Sequence, residues 1–286
     1  MNDVKIAVIG GSGLYQIPGV EVLENIEIET PFGKPSDEIS VCRIDGSKVA
    51  FLPRHGRGHR ITPSELPVKA NIYALKSLGV KYVISVSAVG SLRQEIKPRD
   101  IVIPSQIIDR TSLRERTFFG GGIVAHVIFA DPFCSWLSGI LQNAAQKQDV
   151  TVHEKATYVC MEGPLFSTRA ESQFHRMIGG DIIGMTAIPE AKLAREAEMC
   201  YATIALSTDY DCWHEEEEDV TLEMILDNMK FNSENAKNIL LSVIHDIDVE
   251  KSCSCHSILD YSIVTDKKLW PEEKKKELEL LLKRFL

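Results

Sequence analysis

The chain has 286 residues, 44% of them hydrophobic, enough to bury the core of one large α/β domain or of two small ones. Its net charge of −9 excludes a general nucleic-acid binder, which needs a basic stripe against phosphates, but leaves room for a small anion held by a few local cations. No run of about 18 apolar residues occurs and the opening MNDVKIAVIGGSG does not read as a signal peptide, so neither membrane nor nucleic-acid partners are expected.

VKIAVI (residues 4–9) predicts a short buried strand running into a glycine turn. ISVCRI and SKVAFL flank Asp45-Gly46, a tight-hairpin signal. Ser64 opens a predicted helix with Pro67 in its first turns, closed by Gly79. Buried strands are predicted over 80–91 and 100–109, and a helix near 133–147. The strand ATYVCMEGP, a helix near 168–178, the short strand DIIGM and a helix over 187–198 follow, then a strand over 199–206. Strands alternating with helices, apolar nearly throughout, mean a sheet covered on both faces, and the hairpin makes that sheet mixed. The expected fold class is therefore α/β, a single domain with a central mixed β-sheet flanked by helices. Residues 1–250 read as its body and 251–286 as a C-terminal extension. That extension holds Cys253-Ser254-Cys255 and a predicted amphipathic helix whose face of Leu278, Leu281, Leu282 and Phe285 packs on the body or on a neighbouring subunit. Cys42, Cys134, Cys160 and Cys200 lie in apolar segments, the pattern of reduced core thiols, and a cytoplasmic protein is expected.

Several nucleotide motifs fail. After the first strand, Gly10-Gly11-Ser12-Gly13 lacks the third glycine of a dinucleotide fingerprint, Gln16 standing there, and lacks the Gly-Lys-Ser/Thr of a P-loop. It remains either a tight turn or a cradle of backbone N–H groups for an oxyanion. PRHGRGHRITP (53–63) concentrates three arginines and two histidines and is expected to form an anion site. His55 and His59 lack the partners that a zinc site would need. SAVGS (87–91) and MEGPLFSTRAES (161–172) are further strand-end turns, the latter with Glu162 after the strand and with Ser167 and Thr168 placed to cap the next helix. The strand over 199–206 runs on to Asp209 and Asp211, followed by an acidic stretch at 215–218 that reads as solvated. All these turns follow apolar strands, where α/β proteins collect ligands.

Together GGSGL, PRHGRGHRITPSELP, SAVGSL, DPFC, MEGPLFSTRAES, MTAIPEAKLAREAEMCYA and STDYDCW closely resemble the trimeric purine nucleoside phosphorylase family, on its methylthioadenosine branch, in order from about residue 4 to 245. The tail resembles that of thermophilic members. The resemblance implies phosphate binding by Ser12, Arg54, His55, Ser87, Ala88 and Thr186. It implies nucleoside contacts from Phe166, Met185, Asp209, Tyr210 and Asp211, and from His126 lent by a neighbouring subunit. It further implies a choice between 6-amino and 6-oxo purines at Ser167 and Leu222. Homotrimers, or hexamers built from them, are implied, with inorganic phosphate as co-substrate and no cofactor or metal.

The implied reaction moves a pentosyl group from a purine to phosphate. Adenine shows an N7 acceptor beside an N6 donor, whereas 6-oxopurines show two acceptors. A protonated Asp209 can donate to N7 and accept from N6, so an acid at 209, with Asp211 orienting it, predicts 6-aminopurine preference and general acid catalysis. Met185, Leu222 and His126 would form a largely apolar 5′ pocket suited to a methylthio group, with adenosine as a secondary substrate. The alternatives are a 6-oxopurine or methylthioinosine phosphorylase, a nucleosidase using water, and a non-catalytic nucleoside-binding sensor. Cys253 and Cys255 admit three readings: reduced thiols, a disulfide, or half a metal site.

Overall fold

The computed structural model describes residues 4–11, 20–214 and 222–286. Among them nine strands form one mixed sheet: β1 (Ile6–Gly10), β2 (Glu21–Ile26), β3 (Ile39–Ile44), β4 (Ser47–Pro53), β5 (Tyr82–Ser91), β6 (Ile101–Asp109), β7 (Val152–Cys160), β8 (Ile182–Gly184) and β9 (Cys200–Asp209). Their order is β2-β3-β4-β1-β5-β8-β7-β6-β9. Because β9 also pairs with β5 along nearly its whole length, the last five strands close on themselves. The pairs β1–β4, β1–β5, β5–β9, β6–β7 and β7–β8 are parallel; β2–β3, β3–β4, β5–β8 and β6–β9 are antiparallel. The Asp45-Gly46 hairpin forms as expected, both residues adopting the positive φ that this turn requires.

Helices α1 (Val68–Ser77), α2 (Ser135–Gln146), α3 (Arg169–Met177), α4 (Ala187–Glu196) and α5 (Leu222–Asp246) cover the sheet. Strand alternation divides β1 between two cores. Ala7 and Ile9 pack with Ile72 and Leu75 of α1 and Leu193 of α4, whereas Ile6 and Val8 pack with Leu137 and Leu141 of α2 and Ile239 and Leu240 of α5. The continuous apolar reading of β1, β5 and β9 is thus a record of burial on both faces.

Three sequence expectations change. Helix α1 starts at Val68 rather than Ser64, because Pro67 disfavours helical backbone at Leu66 and itself takes the N-cap position. Thr168 alone caps α3, in a reciprocal capping box with Glu171. The tail forms two short helices, α6 (Glu272–Glu277) and α7 (Glu279–Leu282), broken at Leu278, with neither Pro nor Gly at the break. Its apolar face does pack on the body: Leu278, Leu281 and Leu282 are buried in the same core as Ile72, and Phe285 packs against it. Arg284 ties the end of the chain to Glu198 and Asp260.

Candidate active site

Asp209 is the last residue of β9 and is 6% exposed. Its Oδ1 accepts the Asp211 N–H (2.8 Å), and its Oδ2 lies 2.7 Å from the Thr208 hydroxyl, which also reaches the Val89 carbonyl at 3.2 Å. That hydroxyl has one hydrogen and two acceptors, so it can serve Asp209 either as donor or, when Asp209 is protonated, as acceptor. Parallel pairing sets Asp209 opposite Gly90 of β5, where a Cβ would stand 2.8 Å from Oδ1. Glycine at 90 is what allows the carboxylate to lie against the neighbouring strand. From α5, the side-chain amides of Asn228 and Asn232 donate to the carbonyls of Thr208 (2.7 Å) and Ser207 (2.9 Å), holding the end of β9 in place.

Asp211 is also buried, on backbone with φ of 51°, and its Oδ2 has no hydrogen-bond partner among the described residues. Burial pushes both carboxyls above the ordinary carboxylate range, against the Thr208 hydroxyl and Asp211 N–H at Asp209 and the Ser172 and Ser167 hydroxyls at Asp211. The arrangement favours keeping a proton on the pair, which a general acid requires.

Tyr210 does not join them. Its hydroxyl donates to the Gln94 carbonyl (3.3 Å) and its ring stacks on His214 beside Trp213. Trp213 in turn donates to the Ser91 carbonyl (2.8 Å) and lies under the Arg176 guanidinium. These rings clamp β5 to the turn after β9.

On the same stretch of β5, Ser87 is buried and Ala88 half-buried. Thr186 occupies the N-cap position of α4 without capping it, its Oγ1 buried and unpartnered. The fully buried Tyr158 hydroxyl lies between the Ser87 and Thr186 hydroxyls, its ionisation pushed up to about 12 by burial. These hydroxyls, gathered beside the start of α4, can donate to an anion.

The basic loop differs from expectation, because most of its charge is offset. Arg54 is buried and bound to Glu190, Nε to Oε1 at 2.5 Å, while its other N–H groups reach the Val86 and Ile9 carbonyls and the Ser85 hydroxyl. Arg57 pairs with Asp37 and Glu38. His55 donates from Nδ1 to the Ile61 carbonyl (2.8 Å), stacks on His59, and is held down to about 4 by burial, hence neutral. Glu190, the first-turn acid of α4, is invisible as a functional residue in the sequence because acids are ordinary there.

Met185 precedes Thr186 and is positioned through Arg114, whose guanidinium donates to the Met185 (2.5 Å) and Ile188 (2.6 Å) carbonyls while pairing with Glu162 at 3.0 Å. The Ser64 hydroxyl and the Ser112 and Leu113 N–H groups also donate to Glu162. Burial raises Glu162, but these donors prevail and bring it to about 2. Ser167 lies beside Asp211 and Met161, whereas Phe166 is 53% exposed. His126 is exposed on the segment that pairs with Ile263 of the tail. Leu222 begins α5, but its side chain, Ser12 and residues 215–218 lie outside the described residues. Cys253 and Cys255 are free thiols, gathered with Cys134 and Cys200 at the other end of β9.

The model of the phosphorylase superfamily matches residues 5–245. Among curated relatives, the S-methyl-5′-thioadenosine phosphorylase of Geobacter sulfurreducens is 55% identical over 98% of this chain and 99% of its own. That of Gloeobacter violaceus is 51% identical over 99% and 96%. Among solved structures, a methylthioadenosine phosphorylase from an antarctic soil metagenomic library superposes with a TM-score of 0.94 at 50% identity, covering 99% of this chain and 100% of the other. The Schistosoma mansoni methylthioadenosine phosphorylase in complex with adenine gives 0.82 at 35% identity, over 98% of both chains. With a match over nearly the whole length and a shared fold, the chain belongs to the phosphorylase superfamily and, within it, to the family of the S-methyl-5′-thioadenosine phosphorylases.

Proposed function

We propose that this protein cleaves S-methyl-5′-thioadenosine with inorganic phosphate, giving adenine and 5-methylthioribose 1-phosphate. The observation that carries the reading is Asp209: a carboxyl buried at a strand end, its pKa raised by desolvation, with no cation among its hydrogen-bond partners. Such an acid can give a proton to purine N7 as the N9–C1′ bond breaks and accept from the N6 amino group with its other oxygen. A phosphate oxygen forms the new bond to C1′, and the leaving base keeps the electron pair of the old one. Sugar cation character in the transition state leaves the enzyme two tasks, to fix phosphate beneath C1′ and to neutralise the departing base.

Phosphate sits among Ser87, the Ala88 backbone, Thr186 at the start of α4, and His55, with Ser12 as a further ligand. Arg54, fastened to Glu190, holds this pocket in shape and supplies its positive charge. Met185 lies over the ribose, and Asp211 orients Asp209. Ser167 beside Asp211 favours the 6-amino edge, together with Leu222. No cofactor beyond phosphate is needed.

Exposed Leu113, Ile128 and Leu165 supply apolar surface for a second copy of the chain, whose His126 completes the 5′ pocket, while Phe166 contacts the nucleoside from its own chain; a homotrimer, or a hexamer built from it, is the working assembly. A cytoplasmic location accords with seven free thiols, and among the described residues no helix is long and apolar enough to cross a membrane.

The test is a substrate panel of methylthioadenosine, adenosine, methylthioinosine and inosine, each with and without phosphate. Fast, phosphate-dependent release of adenine from methylthioadenosine, with slower turnover of adenosine, is expected. Faster turnover of the inosine-type substrates would overturn the role given to Asp209. Base release without phosphate would indicate hydrolysis, and tight binding without turnover a sensor.

A further inference from the structure

At the N-terminal end of β9, four thiols meet: Cys134, Cys200, Cys253 and Cys255 have Sγ atoms all within 4.8 Å of one another. They come from the N-cap of α2, the first residue of β9 and the start of the C-terminal extension. We propose that these four cysteines form a structural site for a single tetrahedral thiophilic cation, zinc, which fastens the extension to the body of the enzyme.

Spacing carries the assignment. A tetrahedral zinc with Zn–S bonds near 2.3 Å sets its sulfurs ~3.8 Å apart, and Cys134 and Cys253 stand at 3.7 Å. A disulfide would need about 2.0 Å, and all four are free thiols. An iron–sulfur cluster would hold its sulfurs farther apart than one ion does.

The surroundings suit thiolates. Cys134 takes the N-cap position of the twelve-residue α2, where first-turn N–H groups and the helix dipole stabilise negative sulfur. His256 Nε2 lies 3.4 Å from Cys200 Sγ, placed to donate to it as outer-shell partners of metal ligands do. Tyr82 packs its ring against Trp136 and His256, and its hydroxyl donates to the Lys251 carbonyl (3.0 Å), tying the chain before Cys253 to the body. Cys42, Cys160 and Cys212 lie outside this group of four. The site lies the length of β9 from Asp209, nine steps at ~3.3 Å or roughly 30 Å, so the ion acts on stability and not on the reaction. By bridging residues 134, 200, 253 and 255 it would anchor the chain that leads on to buried Leu259, Trp270, Leu278 and Leu282.

The experiment is elemental analysis of the full-length enzyme purified with a thiol reductant and without chelators. One equivalent of zinc per chain is expected, released by an organomercurial from the wild-type protein and replaceable by cobalt with the visible bands of tetrahedral thiolate coordination. Cys255→Ser should lose the metal, Cys42→Ala should keep it, and removing zinc should lower Tm by several degrees while turnover of methylthioadenosine at ambient temperature persists. Reduced wild-type enzyme that neither carries zinc nor takes up an added equivalent overturns the proposal. So does a disulfide among the four in fresh protein that acquires no metal after reduction.

Discussion

Strand β9 is buried at every position, and its two ends carry different chemistry. Its C-terminal end presents Asp209, whose burial raises its pKa, so that the ionised form is a cost to the fold. Its N-terminal end presents Cys200 among three other thiols, groups that bury readily as small apolar side chains and bind soft metals when brought together. The contrast separates groups that weaken a fold for the sake of chemistry from groups that strengthen it. A buried carboxyl held only by hydroxyl and N–H donors belongs to the first kind; a thiol cluster where the tail meets the body belongs to the second.

The largest expected effect breaks the first end. Asp209→Asn keeps the shape of the side chain and removes the proton donor, so kcat/KM for methylthioadenosine should fall ~10²–10⁴-fold. The Tm at neutral pH should hold or rise, because a buried ionisable group has been removed. Unchanged kcat/KM, with adenine preference intact, would show that the base is activated elsewhere.

A second variant asks whether the scaffold between the two ends bears its own burden. Glu190 is 1% exposed, holds the Arg54 guanidinium at 2.5 Å and accepts the Tyr201 hydroxyl at 3.0 Å. Glu190→Gln leaves Arg54 charged and buried with a neutral partner, and breaking such a pair costs ~3–5 kcal/mol. Urea unfolding should show that loss as a lowered midpoint with little change in slope. A loss within experimental error would mean that the Val86, Ile9 and Ser85 oxygens suffice for Arg54.

The strands that build the site were legible because burial on both faces leaves continuous apolar runs, and the hairpin because Asp45-Gly46 fits only a tight turn. Strand β2 was not, since it lies at the sheet edge with its Glu and Asn side chains largely exposed and so carries neither an apolar run nor a clean alternation. Helix α5 was also missed: the fully buried Asn232, which serves the Ser207 carbonyl, interrupts the apolar stripe that would have marked its inner face. Asp209 and Asp211 stood out as acids ending an apolar strand, but Gly90 and Thr208, which make room for Asp209 and steady it, could be found only through the pairing of β5 with β9. The thiol cluster draws on three segments separated by more than fifty residues, so only its Cys-x-Cys part was visible as a motif.

The smallest effect is a difference in acid response. Glu162 titrates at about 2 in the folded protein against an ordinary 4.5, so the unfolded chain binds its proton first. Its contribution is complete above about 4.5 and is lost as pH falls towards about 2. His55, held down to about 4 from 6.5, likewise weakens the fold as pH drops between those values, because the unfolded imidazole takes up the proton. Asp209 has the opposite sign. Its folded pKa lies above the unfolded one, so the folded state takes up the proton first and gains stability on acidification. Stability followed by urea unfolding at a series of pH values should therefore fall less steeply below about 4.5 in Glu162→Gln than in wild type, and more steeply in Asp209→Asn over the range above 3.8, where folded Asp209 takes up its proton before the unfolded chain does. Differences between variants cancel everything common to both, including protonation of the four thiols. Parallel curves for Asp209→Asn and wild type would mean that Asp209 titrates alike in the folded and unfolded states. Burial would then leave no proton on it for the purine, and the contrast between the two ends of β9 would reduce to one of position.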